Sequence, residues 1–221
     1  MRNSLIKLKM IRIFFAILLF VGGTSALLAS SSYDDMLQAI NTGNISPIKQ
    51  LLAKGFYVNT TDKSGNTLLM IASRDGQLKV VRILLDAGAK IHQQNRYGDN
   101  ALMLAALHGR TGVARLLLKK GSPLGGRDWT ALMYAAYGGH ERIIQLLLTH
   151  GAKVNRQTRH GVTALMLAAK NGFIAIVDQL LTHHANPALE NAAGETAATL
   201  ALSGGNTDIA ERLRHASADE R

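Results

Sequence analysis

The chain has 221 residues, of which 25 are Lys or Arg and 15 are Asp or Glu, for a formal charge of +10. It has no cysteine, which excludes disulfide scaffolds, Cys-ligated zinc, thiol nucleophiles and cysteine-linked lipid anchors. Apolar residues at 47% against 18% charged exclude a mainly disordered chain, and the positive surplus makes nucleic-acid binding the first function to test.

Arg2, Lys7, Lys9 and Arg12 open the chain, and an uninterrupted apolar run follows at positions 13–21. Gly22-Gly23-Thr24-Ser25 breaks that run, and small residues including Ala26 and Ala29 come next. This is the order of an export signal over residues 1–29, cleaved after Ala26 or Ala29. The uncharged stretch 13–29 is 17 residues long, at the lower edge for crossing a bilayer. The alternative is therefore an uncleaved inner-membrane anchor with the rest of the chain outside the cytoplasm. Without residues 1–29 the chain keeps 21 basic and 15 acidic residues, a surplus of 6. Export to the periplasm or beyond also separates the protein from DNA.

The rest of the chain repeats. The first segment, 30–61, has a helical stretch near Tyr33 to Asn41, then Ile48, Leu51 and Leu52, then Gly55-Phe56-Tyr57-Val58-Asn59. Similar units follow at 62–94, 95–124, 125–157 and 158–190, with a shorter one at 191–215 and a tail at 216–221. Gly-Asn-Thr-Leu-Leu-Met at 65–70 is matched at 98–103, 128–133 and 161–166, and more weakly at 194–199. The Thr or Asn of this element stands at 67, 100, 130, 163 and 196, at spacings of 33, 30, 33 and 33. Thr67, Thr130 and Thr163 suit helix starts, because their hydroxyls can accept from the first free amides. Gly76, Gly109, Gly139 and Gly172 sit where the first helix must end, with positive φ. Val/Ile pairs one turn ahead of Leu-Leu pairs give each second helix a broad apolar stripe that only a neighbouring repeat can bury.

These elements resemble the ankyrin-repeat family, whose pattern is Gly-x-Thr-Pro-Leu-His-x-Ala-Ala, a Gly, a Val-Val-x-x-Leu-Leu helix and Gly-Ala-Asp-Val-Asn. The resemblance covers residues 33 to about 215 and extends to small exported bacterial members. It implies an all-α solenoid of paired helices with projecting hairpin or turn fingers, in about six repeats including polar-faced caps at 30–61 and 191–215. Two departures stand out. The family's Pro is Leu68, Ala101, Ala131 and Ala164, and its His is Met70, Met103, Met133 and Met166. We read the methionines as core filling rather than as an oxidant-sensing row. The third repeat is three residues short, which shortens one finger.

The sequence carries no nucleophile elbow, metalloprotease His-Glu-x-x-His, phosphate-binding loop or dinucleotide fingerprint, and the expectation is no enzyme, no cofactor and no metal. His140-Glu141 reads as a turn residue before a helix, and His183-His184 as a replaced turn rather than a metal site. Asn44-Ile45-Ser46 and Asn59-Thr60-Thr61 match the glycosylation pattern, which matters only in a eukaryotic secretory pathway.

The resemblance implies a non-catalytic module whose finger residues and adjoining first-helix ends meet a protein partner. Carried onto this sequence, the contact residues are Lys63, Arg74, Arg96, Tyr97, His108, Arg127, Trp129, Tyr137, Arg159, His160 and Lys170. Recurring Arg and Lys on the concave side favour an acidic partner. Aromatic residues beside Arg have the composition of binding hot spots. The short third finger is expected to open a notch beside Trp129, the chain's single Trp. The protein is read as a monomer, with an accessory role for an envelope enzyme or in stress defence. The alternatives are a secreted effector acting on a host protein and, less favoured, nucleic-acid binding, because basic and acidic residues alternate along the repeats.

Overall fold

The computed structural model describes residues 32–219, so the export signal or anchor expected at 1–29 lies outside the described residues. These residues form twelve helices and no sheet, with only two isolated β-bridges, Thr61 to Thr67 and Gly125 to Thr130. Of the expected hairpin or turn fingers, the described residues contain turns and isolated bridges and no strand pair. No helix among the described residues is long and apolar enough to cross a membrane.

The chain divides into two compact units, one ending at Phe56 and one beginning at Tyr57. In the first, α1 (residues 32–42) is followed by α2 (Ile45–Ala53), and the side chain of Asn44 caps α2 by accepting from Ser46 N–H at 3.3 Å. Met36, Ile40 and Ile48 are fully buried.

The second unit is a run of five helix pairs. They are α3 (Leu68–Asp75) with α4 (Leu78–Asp86), α5 (Ala101–Leu107) with α6 (Thr111–Lys119), and α7 (Ala131–Tyr137) with α8 (Glu141–Thr149). Then come α9 (Ala164–Lys170) with α10 (Ile174–Thr182) and α11 (Ala197–Ser203) with α12 (Thr207–Asp219). Helix α12 continues through Asp219, so the stretch read as a tail is helical that far.

Each first helix starts on a capping side chain. Thr67, Asn100, Thr130, Thr163 and Thr196 accept from the amide three residues on, replacing a bond that the helix cannot make internally. Two methionines complete the cap: Met70 Sδ and Met166 Sδ accept from the N–H of Thr67 and Thr163 at 3.3 and 3.4 Å. Met70, Met103, Met133 and Met166 are each 1% exposed, which agrees with core filling.

Small residues then let the first helices approach one another. Ala105, Ala106, Ala135, Ala136, Ala168 and Ala169 are fully buried, and α3, α5, α7, α9 and α11 pack in sequence. Leu84, Leu117, Leu147 and Leu180 of the second helices are also fully buried, each contributing about 2 kcal/mol of apolar transfer.

The far ends of the first helices are held by the next repeat. Arg110 Nε donates to the Arg74 carbonyl at 2.9 Å, and His140 Nε2 donates to the Leu107 carbonyl at 2.9 Å. Asn206 Nδ2 donates to the carbonyls of Ala169 and Lys170. At the remaining junction Asn171 Nδ2 donates to Tyr137 O at 3.2 Å, and the Phe173 ring covers Gly139. Gly76, Gly109, Gly139 and Gly172 all have positive φ, as expected. A Cβ on Gly76 would stand 2.7 Å from Arg110 Cδ, so the glycine serves both the turn and the neighbour stacked on it. His140 thus caps the end of the preceding repeat's first helix, a role beyond its reading as a turn residue.

His184 is the exception among the turns. It occupies the place held by Gly88, Gly121 and Gly151 and has φ 63, the one positive φ outside glycine among the described residues. A side chain in that region is strained. His184→Gly should raise stability by about 1 kcal/mol, read as a higher thermal midpoint; an unchanged or lower midpoint would show that the imidazole offsets the strain.

Candidate functional site

The turns between helix pairs are built on one side chain. Asp62 Oδ1 accepts from the N–H of Ser64 and Asn66, Asn95 Oδ1 from Tyr97 and Asp99, and Asn191 Oδ1 from Ala193 and Glu195. Thr158 Oγ1 accepts from Val162 N–H. A short polar side chain that accepts from its own following backbone fixes such a turn. Successive turns are also tied tip to tip: Arg96 N–H donates to Ser64 O at 3.0 Å and Ala192 N–H to His160 O at 2.8 Å.

The third turn has Gly125 where the others have Asp, Asn or Thr, so it lacks that side chain. It closes instead through Gly126 N–H to Trp129 O at 2.9 Å. Among the described residues no backbone hydrogen bond ties it to the turn at 95–98. On its other side the backbone acceptor is replaced by a carboxylate, Asp128 Oδ1, which takes Arg159 N–H at 2.6 Å.

A cavity of about 420 Å3 opens where the tie to the preceding turn is missing. Tyr97, Trp129 and Tyr134 wall it, with Arg96, Arg127 and Arg159 at its edges. The Trp129 ring lies 4.9 Å from that of Tyr134 at 36°, and 6.3 Å from that of Tyr137 at 83°, an edge-to-face contact. Tyr97 is 75% exposed and Tyr137 52% exposed. Tyr134 donates its hydroxyl to Asp99 Oδ1 at 2.8 Å, and Asp99 is itself buried in the Asn95 turn. Burial, then the hydrogen bond to Asp99, then the charge of Asp99 raise the Tyr134 hydroxyl above its ordinary pKa.

Of the eleven residues singled out from sequence, Arg96, Tyr97, Arg127, Trp129 and Arg159 meet at this cavity, and Tyr137 flanks it. Lys63, Arg74, His108, His160 and Lys170 are exposed and lie apart from it. Arg74 is paired with Asp75 at 2.8 Å, and Arg159 approaches Asp128 at 3.7 Å. Arg96, Arg127 and Lys170 have no acidic partner among the described residues. Desolvation, then the charges of Arg110 and Arg74, lower the pKa of His108 below its ordinary value. Tyr134 and Asp99 were not among the eleven. The available signal was a phenol at the place that Ile71, Leu104 and Leu167 hold in the other repeats, since a buried hydroxyl requires a partner.

The remaining sequence candidates have local duties. His183 Nδ1 donates to Gln179 O at 2.9 Å, and Asn59 Oδ1 accepts from Lys90 N–H at 2.8 Å. Among the described residues no three His, Cys, Asp or Glu side chains stand close enough to hold a metal ion.

A family model described as ankyrin repeats (3 copies) matches residues 36–128, 123–191 and 165–220. Comparison with curated proteins finds no match.

The Tyr134 bond has a pH signature. Its folded pKa is raised above the ordinary value of 10.0, so its contribution is fully present below pH 10 and is lost as pH rises through the folded value. Tyr134→Phe should cost about 1 kcal/mol at neutral pH. Thermal midpoints followed from about pH 9 to about pH 12 should fall less steeply in the variant; parallel curves would remove Tyr134 as a titrating support of the site.

Proposed function

The chain belongs to the ankyrin-repeat family, whose members are generally non-catalytic protein–protein interaction modules, and on that premise we propose that it binds an acidic protein partner outside the cytoplasm through a face centred on Trp129. The observation that carries this reading is the cavity at the third turn, where Trp129 and Tyr97 stand beside Arg96 and Arg127, two guanidinium groups that form no salt bridge among the described residues, although Asp99 and Asp128 line the same cavity. Aromatic rings offer large contact area at low entropic cost, and Arg adds planar hydrogen bonding to carboxylates.

The face extends from Lys63 to Lys170 along the turns and first-helix ends, long enough to grip a folded surface rather than a single loop. Charges at its edge raise association rate and exclude basic partners, while the aromatic centre supplies most of the affinity. The compartment is supported by the basic start, apolar run and small-residue stretch of residues 1–29. In that compartment the module acts as an accessory to an envelope enzyme or in stress defence. Recovery of the protein from the medium instead of the periplasm would move the reading to a secreted effector. Steeply salt-dependent binding to DNA would move it to nucleic acid.

Cross-linking in the native compartment tests the face directly. Trp129→Ala and Arg127→Glu should each weaken partner capture about thirtyfold, with far-UV circular dichroism showing that the helices persist. Capture equal to that of the parent by both folded variants would overturn the assignment of this face.

A further inference from the structure

The three missing residues leave a second opening, on the other side of the shortened turn. From the start of the loop after each second helix to the first turn residue, the chain takes seven steps from Gly88 to Asn95, Gly151 to Thr158 and His184 to Asn191. It takes four from Gly121 to Gly125. Leu124 matches Ile91 and Val154, so the absent residues are those matching His92-Gln93-Gln94 and Asn155-Arg156-Gln157.

The first of those absent places has a defined duty elsewhere. Asn59 Oδ1 accepts from Lys90 N–H at 2.8 Å, and Asn155 Oδ1 accepts from Asn186 N–H at 2.7 Å. Asn155 also donates to the His184 carbonyl at 2.9 Å. Each Asn is a hook from one repeat to the same place in the next. Where the hook is His92, the next repeat offers Pro123, which has no N–H to hold. Lys153 holds the receiving place opposite the shortened loop. No hook reaches it, and its N–H makes no hydrogen bond among the described residues.

A cavity of about 330 Å3 lies there, lined by Leu124, Leu132, Thr130 and Ala152 and edged by Lys153 and Arg156. Neither cation forms an ion pair among the described residues. The cap Thr130 is partly uncovered on this wall, like Thr196 in the last repeat, whereas its counterparts Thr67, Asn100 and Thr163 are buried.

We infer that this cavity receives a short extended segment of a partner protein carrying an Asp, whose carboxylate takes the Lys153 N–H as Asn59 takes that of Lys90. Three residues of extended chain span about 10 Å, the length the loop has lost. A carboxylate is favoured over an amide because Lys153 and Arg156 add charge-assisted bonds. Leu124 and Leu132 offer apolar contact to the residue preceding the Asp. The site shares no side chain with the Trp129 face and stands whether or not that face binds.

The test is a titration of the 15N-labelled protein with the capped hexapeptide Ala-Val-Asp-Thr-Thr-Ala, patterned on Val58-Asn59-Thr60-Thr61 with Asp for Asn. A saturable shift centred on the Lys153 amide is expected, weaker when Asn replaces Asp and about threefold weaker in Lys153→Ala. Inserting Asn-Thr-Thr between Leu124 and Gly125 restores the hook and fills the cavity. That variant should melt no lower than the parent and show no shift at Lys153. Ala152→Phe blocks the cavity from the facing loop and should abolish the shift as well. Trp129→Ala should bind the peptide as the parent does. Absence of a saturable shift in the parent, or an undiminished one in either filled variant, would overturn the inference. A concentration-dependent dimer abolished by the insertion would also overturn it, by assigning the cavity to a second copy of the chain.

Discussion

A helix of seven residues cannot hold itself together, because nucleation consumes most of what its few internal hydrogen bonds return. Helices α5, α7, α9 and α11 are all seven residues long, and α3 is eight. Their existence therefore depends on what closes their ends. At the start it is a Thr or Asn side chain from the same repeat. At the end of α3, α5, α7 and α9 it is Arg110, His140, Asn171 or Asn206 from the next one. Each of these repeats finishes a helix that its predecessor began, so none of those four pairs is complete alone. Stability in such an array is a sum over neighbours rather than the property of one core.

The same dependence explains why a three-residue loss has two visible effects. The turns form a second ladder beside the helix ends, and the third turn lacks the side chain on which the others are built. It forgoes the two amide bonds that Asn95 makes in its own turn, about 2 kcal/mol at the net value of about 1 per bond. Trp129 stacks on Tyr134 and meets Tyr137 edge-on, two aromatic contacts of about 1 kcal/mol each. The Asp128 carboxylate also replaces a backbone acceptor for Arg159. Gain and loss are of the same size, which is why the turn can leave the ladder without unravelling the pair behind it.

Much of this was legible in the residues. The 33-residue register, the Thr caps and the positive-φ glycines follow from local chemistry that repeats in phase, and each copy corroborates the others. The missing three residues were countable, and a notch beside Trp129 followed from them. The Tyr134 to Asp99 bond was not legible, because it joins residues 35 apart whose types are ordinary when read singly. Nor was the consequence for Lys153, whose backbone looks like that of Lys90 until Asn59 is seen to hold one and no described residue to hold the other. Period-based reading finds what every repeat shares. What one repeat lacks matters through a neighbour's backbone, and that requires the stacked geometry.

The charge that first pointed to nucleic acid also resolves into neighbour relations. Arg74 meets Asp75, Arg159 meets Asp128 and Arg212 meets Asp178, all at exposed positions where such pairs contribute between 0 and about 1 kcal/mol. These pairs therefore do little to hold the array, which the caps and buried Leu and Ala already hold. Each removes one positive charge from the surface. Arg96 and Arg127 are in none of these pairs, and both edge the cavity where Trp129 lies. Beyond about 8 Å at physiological ionic strength, exposed charges are screened. The local arrangement around the third turn, rather than the net charge of the chain, is what an approaching partner meets.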